Sequence, residues 1–553
     1  MTDHKTLAQE ASPRTGADSV VEALLNHGIS NLYCLPGIQN DALFNALFDR
    51  RDQINVVHTR HEQGAAYMAL GSALATGKPA VYAVVPGPGF LNTTAALATA
   101  YSTGAKVLCL SGQIPSHAIG KGLGYLHELP DQLGILERLT KSSERIGAPD
   151  EIAGGMARAF RALNSGRPRP VGVEIPLDVL FKQTAVTGPQ SLPTDIPDVL
   201  DEAAIERAAA LLSRAAHPLI FVGGGAQDAS AELRILAERL GAPVVSYRMG
   251  RGILDERNPL SQSLTGGHVF WRDCDVVLAV GTRLHLPSIQ WGIDDALKII
   301  KVDIDPAEMP KNGLPDIAIT GDAAAVLARI NEHIRRPVAD SVARIRRSAL
   351  VKQETNVRIA GLEPQLAFLR AIRDVLPDNG VLVDESTQVG YVSRIGYETR
   401  LPRTYLSSGY QGVLGWGFAT ALGAKHALAD TSVISIAGDG GFMFNVQEMS
   451  TAVHHSIPLA TIVFSDGSFG NVKRMQQDLY GNRVIATDLT NPDFARLADC
   501  FGALGLKAEN PDDLRRALET ALSAARPSLI EVPCGPMPEA WPFINLPRIR
   551  GRA

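Results

Sequence analysis

The sequence predicts an α/β protein of three doubly wound parallel-sheet domains. Three observations carry that prediction: short apolar runs ending in glycine alternate with helical patterns along the whole chain, two stretches of different composition interrupt the alternation, and two distant blocks repeat one local order. Strands alternating with helices build parallel sheets covered on both faces. The 553 residues, 45% hydrophobic and 20% charged, hold apolar material for about three cores. The first interruption, 187–197, is rich in Pro, Thr and Ser; the second, near 336–363, is charged and helical in pattern and ends at Glu363-Pro364. They leave blocks at 12–184, 198–335 and 360–540.

In the first block Val56-Val57 reads as a strand that enters His58-Thr59-Arg60-His61-Glu62-Gln63-Gly64-Ala65-Ala66, the start of a small-residue helix. Glu62 sits in the first turn, where the helix dipole favours a carboxylate. Residues 82–92 run from a strand through glycines to Asn92, before a helix and a strand expected at 106–110. Residues 434–440 do the same in the third block, leading to an Asn, a helix and a strand. A repeat at this distance indicates duplicated domains. In the middle block 219–222 is a strand running into Gly223-Gly224-Gly225-Ala226. That run lacks the third glycine of a dinucleotide fingerprint and reads as a plain βα turn.

The third block holds the most chemistry. The apolar strand 433–437 ends in Gly438-Asp439-Gly440, and a second strand, 459–464, ends in Ser465-Asp466-Gly467-Ser468. The carboxylates are 466 − 439 = 27 residues apart, about one helical crossover, so both emerge at the same edge of one parallel sheet. Glycines there let backbone approach a ligand at a helix mouth. Two carboxylates, a loop carbonyl and phosphate oxygens form an all-oxygen set that suits Mg²⁺. Upstream, 408–417 is a glycine-rich loop before a helix.

The net charge of −5 gives no broad basic face, so neither nucleic acid nor an anionic membrane is an expected partner. Cys34, Cys109, Cys274, Cys500 and Cys534 are scattered, with no Cys-x-x-Cys. That fits a reduced, cytoplasmic setting without structural zinc. Residues 1–16 are polar, so neither a leader nor an anchor is expected, and no run of about 18 uncharged apolar residues occurs elsewhere.

The order strand, Gly438-Asp439-Gly440, helix with Asn445, strand, Ser465-Asp466-Gly467-Ser468 resembles the thiamine-diphosphate signature of the acetolactate synthase and 2-oxo acid decarboxylase family, which includes benzaldehyde lyase-like enzymes. The resemblance spans nearly the whole chain. It implies a pyrimidine-binding first domain, a central domain and a diphosphate-binding third domain, with Mg²⁺ held by Asp439, Asp466 and the Ser468 carbonyl. The diphosphate would lie against Gly438, Asp439, Gly440, Asp466, Ser468, Phe469 and Gly470. Asp466 stands where the family usually has Asn. Glu62 matches the activating glutamate, whose carboxyl bonded to N1′ of the aminopyrimidine favours the imino tautomer that deprotonates C2 to the ylide. Ser408-Gly409-Tyr410-Gln411-Gly412-Val413-Leu414-Gly415 resembles the cofactor-bending loop, which implies that the Gly412 carbonyl accepts from the 4′-amino group and that Leu414 props the cofactor.

The family places substrate contacts where this chain has Pro36-Gly37-Ile38-Gln39 and Tyr125-Leu126-His127-Glu128, which nominates Gln39 and His127 as catalytic. His127 replaces a glutamine and supplies a group that titrates near neutrality. In the helix from Gly470, Met475 stands where synthases carry a tryptophan and Val472 where pyruvate decarboxylases carry an acid. The central domain has Leu284-His285-Leu286-Pro287 where FAD-bearing synthases are acidic, so FAD or ADP is not expected. The implied activity is thiamine-diphosphate- and Mg²⁺-dependent C–C cleavage or formation on 2-oxo acids or aldehydes, in a homodimer or homotetramer with the cofactor between subunits. The alternatives are an FAD-containing acetolactate synthase, a 2-hydroxy ketone lyase, and a catalytically silent cofactor-binding module.

Overall fold

Strand order separates the three domains into two kinds. The computed structural model describes residues 14–184 and 199–551; the linker expected at 187–197 and the outer ends of the first two blocks lie outside the described residues. Each domain carries a six-stranded sheet, and every pairing within the three sheets is parallel. Counted within its own domain, the first sheet has strand order 2-1-3-4-6-5 and so has the third. The repeat legible at 82–92 and 434–440 is thus a repeat of whole topology. The central sheet has order 3-2-1-4-5-6, the dinucleotide-binding arrangement. Its glycines are taken up by backbone packing, however: Gly225 N donates to the Gly281 carbonyl at 3.2 Å, and a Cβ on Gly225 would stand 2.8 Å from Gly281 Cα.

The strand expected at 106–110 runs as Val107–Gln113. Its last polar residues stay in the sheet because their side chains are satisfied there: Gln113 Nε2 donates to Glu174 Oε2 at 3.3 Å and Ser111 Oγ to the Gly112 carbonyl at 2.9 Å. The second connecting stretch is the helix Ser341–Ile359. No helix among the described residues is long and apolar enough to cross a membrane.

Helix Glu62–Thr76 begins where the His61 side chain accepts from Gln63 N and ends at Gly77 in the left-handed region. Between the caps it is Ala, Leu, Met and Gly with almost no polar residue, and everything from Gly64 to Ala75 is buried. A helix that is apolar all round must be covered on both sides. Its own sheet covers one side, and helix Trp416–Ala427 of the third domain covers the other. The two helices cross at their glycines, since Gly71 meets Thr420 and Ala424 while Gly423 meets Met68. One hydrophobic core therefore runs from the first domain into the third, including Leu70, Ala73, Trp416 and Leu422.

Candidate functional site

Ligands of doubly wound sheets bind beyond the carboxyl ends of the strands, at the point where strand order reverses. Every residue nominated from the sequence lies at such an edge, in two separate groups.

The first group gathers around residues 86–92. Asn92 Nδ2 donates to Glu62 Oε2 at 2.9 Å, and a Cβ on Gly89 would stand 3.5 Å from Glu62 Oε1. On the other flank, His127 Nδ1 and Gln39 Oε1 are 3.0 Å apart, and Gln39 Nε2 donates to the Leu126 carbonyl at 3.0 Å. That donation orients the amide, so Gln39 Oε1 accepts and His127 Nδ1 donates, which leaves Nε2 free of this bond. His127 has φ of 68°, and the loop that holds it is organised by Glu128, whose carboxylate accepts from the backbone N–H groups of Gly122, Leu123, Gly124 and Tyr125. Against a desolvation that would raise it, those donors hold the Glu128 carboxyl below its usual range. Asn92 and Glu128 were not nominated from the sequence. Their parts depend on which loop each reaches.

The second group is built on the third sheet. Asp439 is buried and spans two loops: Oδ1 accepts from Gly440 N at 2.7 Å, and Oδ2 accepts from Gly467 N at 2.8 Å and Asn491 Nδ2 at 2.7 Å. Asp466 Oδ1 accepts from Ser468 N at 3.0 Å and Ser468 Oγ at 3.2 Å. Partial desolvation first, and the Asp439 charge second, raise the Asp466 carboxyl above its usual value. The loop is closed by Phe469 N donating to the Thr487 carbonyl and Leu489 N to the Gly467 carbonyl, both at 2.8 Å. Glycine is required at two places by space. A Cβ on Gly440 would stand 2.6 Å from the Phe469 ring, and one on Gly470 2.6 Å from Asp466 Oδ2. Gly438 follows the strand and faces Thr387.

The loop 407–415 borders this edge, with Gly412 at φ of 60°, a conformation open to glycine without strain. Leu414 is half-buried beside it. Several buried polar atoms here have no partner within the chain: Thr387 Oγ1, Ser407 Oγ, Ser408 Oγ and Asn445 Oδ1. Buried polar groups are nearly always satisfied, so such a cluster is the signature of a polar ligand's bed. Two neighbouring carboxylates, loop backbone and unmet donors on a strand-to-helix turn fit a metal-bound diphosphate.

Glu385 was also missed, although Asp384-Glu385 directly follows the strand Val381–Val383. Its Oε1 accepts from Gly415 N, and its side chain packs against Gly417 and Gly441. Glu385 thus ties the glycine-rich loop to the Gly438-Asp439-Gly440 turn. Complete burial pushes its carboxyl up to about 8, with Asp384 adding to the rise and the Gly415 and Gly417 N–H groups opposing it. Between its ordinary 4.5 and 8 the folded state keeps a proton that the unfolded chain releases, so stability is full below 4.5 and declines as pH rises through this window. Glu385→Gln cannot ionise. Melting temperatures at pH 5 and pH 8 are expected to fall with pH in the parent and to stay level in the variant, a relative gain on the order of 4 kcal/mol by pH 8. Parallel pH dependence in the two proteins would show that Glu385 is ionised when folded.

Among the described residues no hydrogen bond joins the two groups. Helix Glu62–Thr76 is 15 residues long, roughly 22 Å, with Glu62 at its start. The loop of the third domain meets the amino end of the first sheet, where Gly409 lies against Ser102 and Thr103 ahead of the strand Val107–Gln113. The carboxyl edge of the third sheet thus meets the amino end of the first, so the two carboxyl edges do not face each other within one chain.

Comparison with known proteins agrees with this division. Residues 14–135 match the thiamine pyrophosphate enzyme N-terminal TPP binding domain, 205–330 the central domain and 387–532 the C-terminal TPP binding domain of the same enzymes. A probable acetolactate synthase large subunit of Methanocaldococcus jannaschii is 32% identical over 558 residues, 96% of this chain and 93% of the relative. A probable 2-ketoarginine decarboxylase AruI of Pseudomonas aeruginosa is 31% identical over 94% of each chain. The acetolactate synthase isozyme 1 large subunit of Escherichia coli K12 is 30% identical over 96% of each. With both sheet edges and all three domains accounted for, the chain belongs to the thiamine pyrophosphate enzyme family, as an enzyme of the acetolactate synthase and 2-oxo acid decarboxylase kind.

Proposed function

We propose that this chain is a thiamine-diphosphate- and Mg²⁺-dependent enzyme that breaks or forms the C–C bond next to the carbonyl of a 2-oxo acid, working as a homodimer or a dimer of dimers. The observation that carries the proposal is that one sheet edge bears Asp439 and Asp466 and another bears Glu62, with no hydrogen bond joining them among the described residues. Two copies arranged head to tail supply each site with one edge from each chain. Exposed apolar residues at both edges, Ile38 and Leu126 on the first and Phe444 and Met475 on the third, support burial against a second copy. The proposed domains are 12–184 for the pyrimidine, 198–335 in the centre and 360–540 for the diphosphate.

When bound, thiamine diphosphate supplies the electron sink that lets the bond beside the carbonyl break. The chain's residues do the rest. Asp439, Asp466 and the Ser468 carbonyl hold Mg²⁺, and the turns at Gly438, Gly440, Phe469 and Gly470 leave room for a diphosphate. Gly412 and Leu414 would lie against the cofactor, with the Gly412 carbonyl as acceptor and the Leu414 side chain as an apolar support. Glu62, kept in place by Asn92, holds a proton on its carboxyl oxygen at the pyrimidine. Gln39 orients His127, whose Nε2 lone pair exchanges a proton with the substrate. Similarity to acetolactate synthases and to a 2-ketoarginine decarboxylase supports 2-oxo acids as donors.

The test is incubation with thiamine diphosphate, Mg²⁺ and a panel of 2-oxo acids, with and without aldehyde acceptors, with products identified by NMR. Aldehydes alone identify a decarboxylase, and 2-hydroxy ketones or acetohydroxy acids a carboligase. Turnover of 2-hydroxy ketones but of no 2-oxo acid would replace the proposal with a lyase, and no turnover of either with a silent binding module. A yellow preparation converting pyruvate to acetolactate would instead identify an FAD-containing synthase.

A further inference from the structure

Three histidines meet where the first and third domains join, far from the carboxylate loop. His58 ends the strand Asn55–His58, His454 ends the helix Glu448–His454 and His455 caps it. Their ring centroids are 4.7, 4.9 and 4.7 Å apart and each pair meets edge to face. One ligand nitrogen from each lies within 4.8 Å of the others. We infer that His58, His454 and His455 form a second metal site, for a borderline-soft divalent ion such as Zn²⁺, which clasps the two domains together.

The ligand set decides the class of ion: imidazole suits Zn²⁺, Ni²⁺ or Cu²⁺, whereas Mg²⁺ prefers oxygen. Tetrahedral Zn–N bonds of about 2.1 Å place ligand nitrogens about 3.4 Å apart, so rotation of the His58 and His454 side chains toward His455 closes the cluster. His455 Nε2 is 3.2 Å from the His58 carbonyl. A carbonyl only accepts, so Nε2 carries the proton and Nδ1 is the ligand atom, with its ring fixed by that bond. His58 and His455 are half-buried and His454 is exposed, which leaves the fourth position to water. Arg60 is the opposing charge, felt at His58.

The cluster is separate from the Asp439 and Asp466 site. His454 and His455 precede the strand Ala460–Ser465, and Asp466 follows it, so the two lie at opposite edges of the sheet, roughly 20 Å apart for a six-residue strand. Because strand and helix come from residues about 400 apart in sequence, an ion bound here binds only the folded chain and stabilises it.

The experiment uses full-length protein stripped with EDTA and held in excess Mg²⁺, titrated with Zn²⁺ by calorimetry and with Co²⁺ by visible absorption. The expected result is one ion per chain, an intense nitrogen-rich tetrahedral Co²⁺ band, and a Zn²⁺-dependent rise in melting temperature. His454→Asn, at an exposed position, and His455→Asn are each expected to weaken binding at least about tenfold, while Asp439→Ala retains it. Absence of stoichiometric binding, unchanged affinity in His454→Asn, or loss confined to Asp439→Ala would overturn the site.

Discussion

Glu62→Gln is expected to bind thiamine diphosphate normally and to lose turnover by ~10²–10⁴-fold. The Gln side chain keeps an oxygen to accept from Asn92 Nδ2, the bond that Glu62 Oε2 makes at 2.9 Å, so the geometry survives and only the exchangeable proton on the carboxyl is removed. Hydrogen–deuterium exchange at the cofactor's C2 measures the loss directly, and unchanged exchange would remove Glu62 from its role. Asp439→Ala is expected to fail differently, at Mg²⁺-dependent cofactor binding, because it strips the carboxylate that gathers Gly440 N, Gly467 N and Asn491. The two variants together test the assembly. Since the edges of one chain point apart, a mixed dimer of Glu62→Gln and Asp439→Ala chains has one intact site and one doubly damaged site. Co-expression is expected to restore about a quarter of the parent activity. A site completed within a single chain would leave the mixture inactive.

Gly71→Val is expected to cost about 4 kcal/mol or more, or to prevent folding. A Cβ at Gly71 falls inside van der Waals contact with the Thr420 carbonyl oxygen and stands 3.0 Å from Ala424 N; reciprocally, a Cβ at Gly423 would stand 2.5 Å from Met68 Cα. These neighbours are backbone, so no side chain can swing aside. The helices must separate instead, which opens the core that runs from Leu70 and Ala73 to Trp416 and Leu422. Gly361→Ala, where an added Cβ meets nothing within 4 Å, is the control and is expected to melt with the parent. A Gly71→Val protein that melts with it too would show that the crossing is looser than described.

The strand-to-helix turns nominated for the cofactor were legible in the sequence because they are local. A strand, a glycine-bracketed carboxylate and a helix are contiguous residues, and parallel topology alone carries Asp439 and Asp466 to one edge. The duplicated topology was legible for the same reason, since strand–turn–helix order survives in 82–92 and 434–440. Gln39 and His127 came from resemblance to a family, and the structure joins them by a hydrogen bond. What escaped were groups whose meaning lies in their partners. Asn92 and Asn491 become positioning residues only through the carboxylates they reach. Asp384-Glu385 follows a strand in plain sight, but nothing local marks Glu385 as fully buried beneath Gly415 and Gly441. The trio His58, His454 and His455 unites residues about 400 positions apart, at a spacing no motif records.

The sequence by itself determined the fold class and the cofactor class, because these depend on backbone turns and on short-range patterns of glycine and charge. Only the tertiary structure decided that helix Glu62–Thr76 crosses helix Trp416–Ala427 at Gly71 and Gly423, and that the carboxyl edges of the first and third sheets do not face each other within a chain. It also decided that Glu385 is held neutral and that three imidazoles converge at the domain junction. The physical reason is common to these: desolvation and packing are set by what lies across a buried interface, and that neighbour is chosen by the folded chain as a whole.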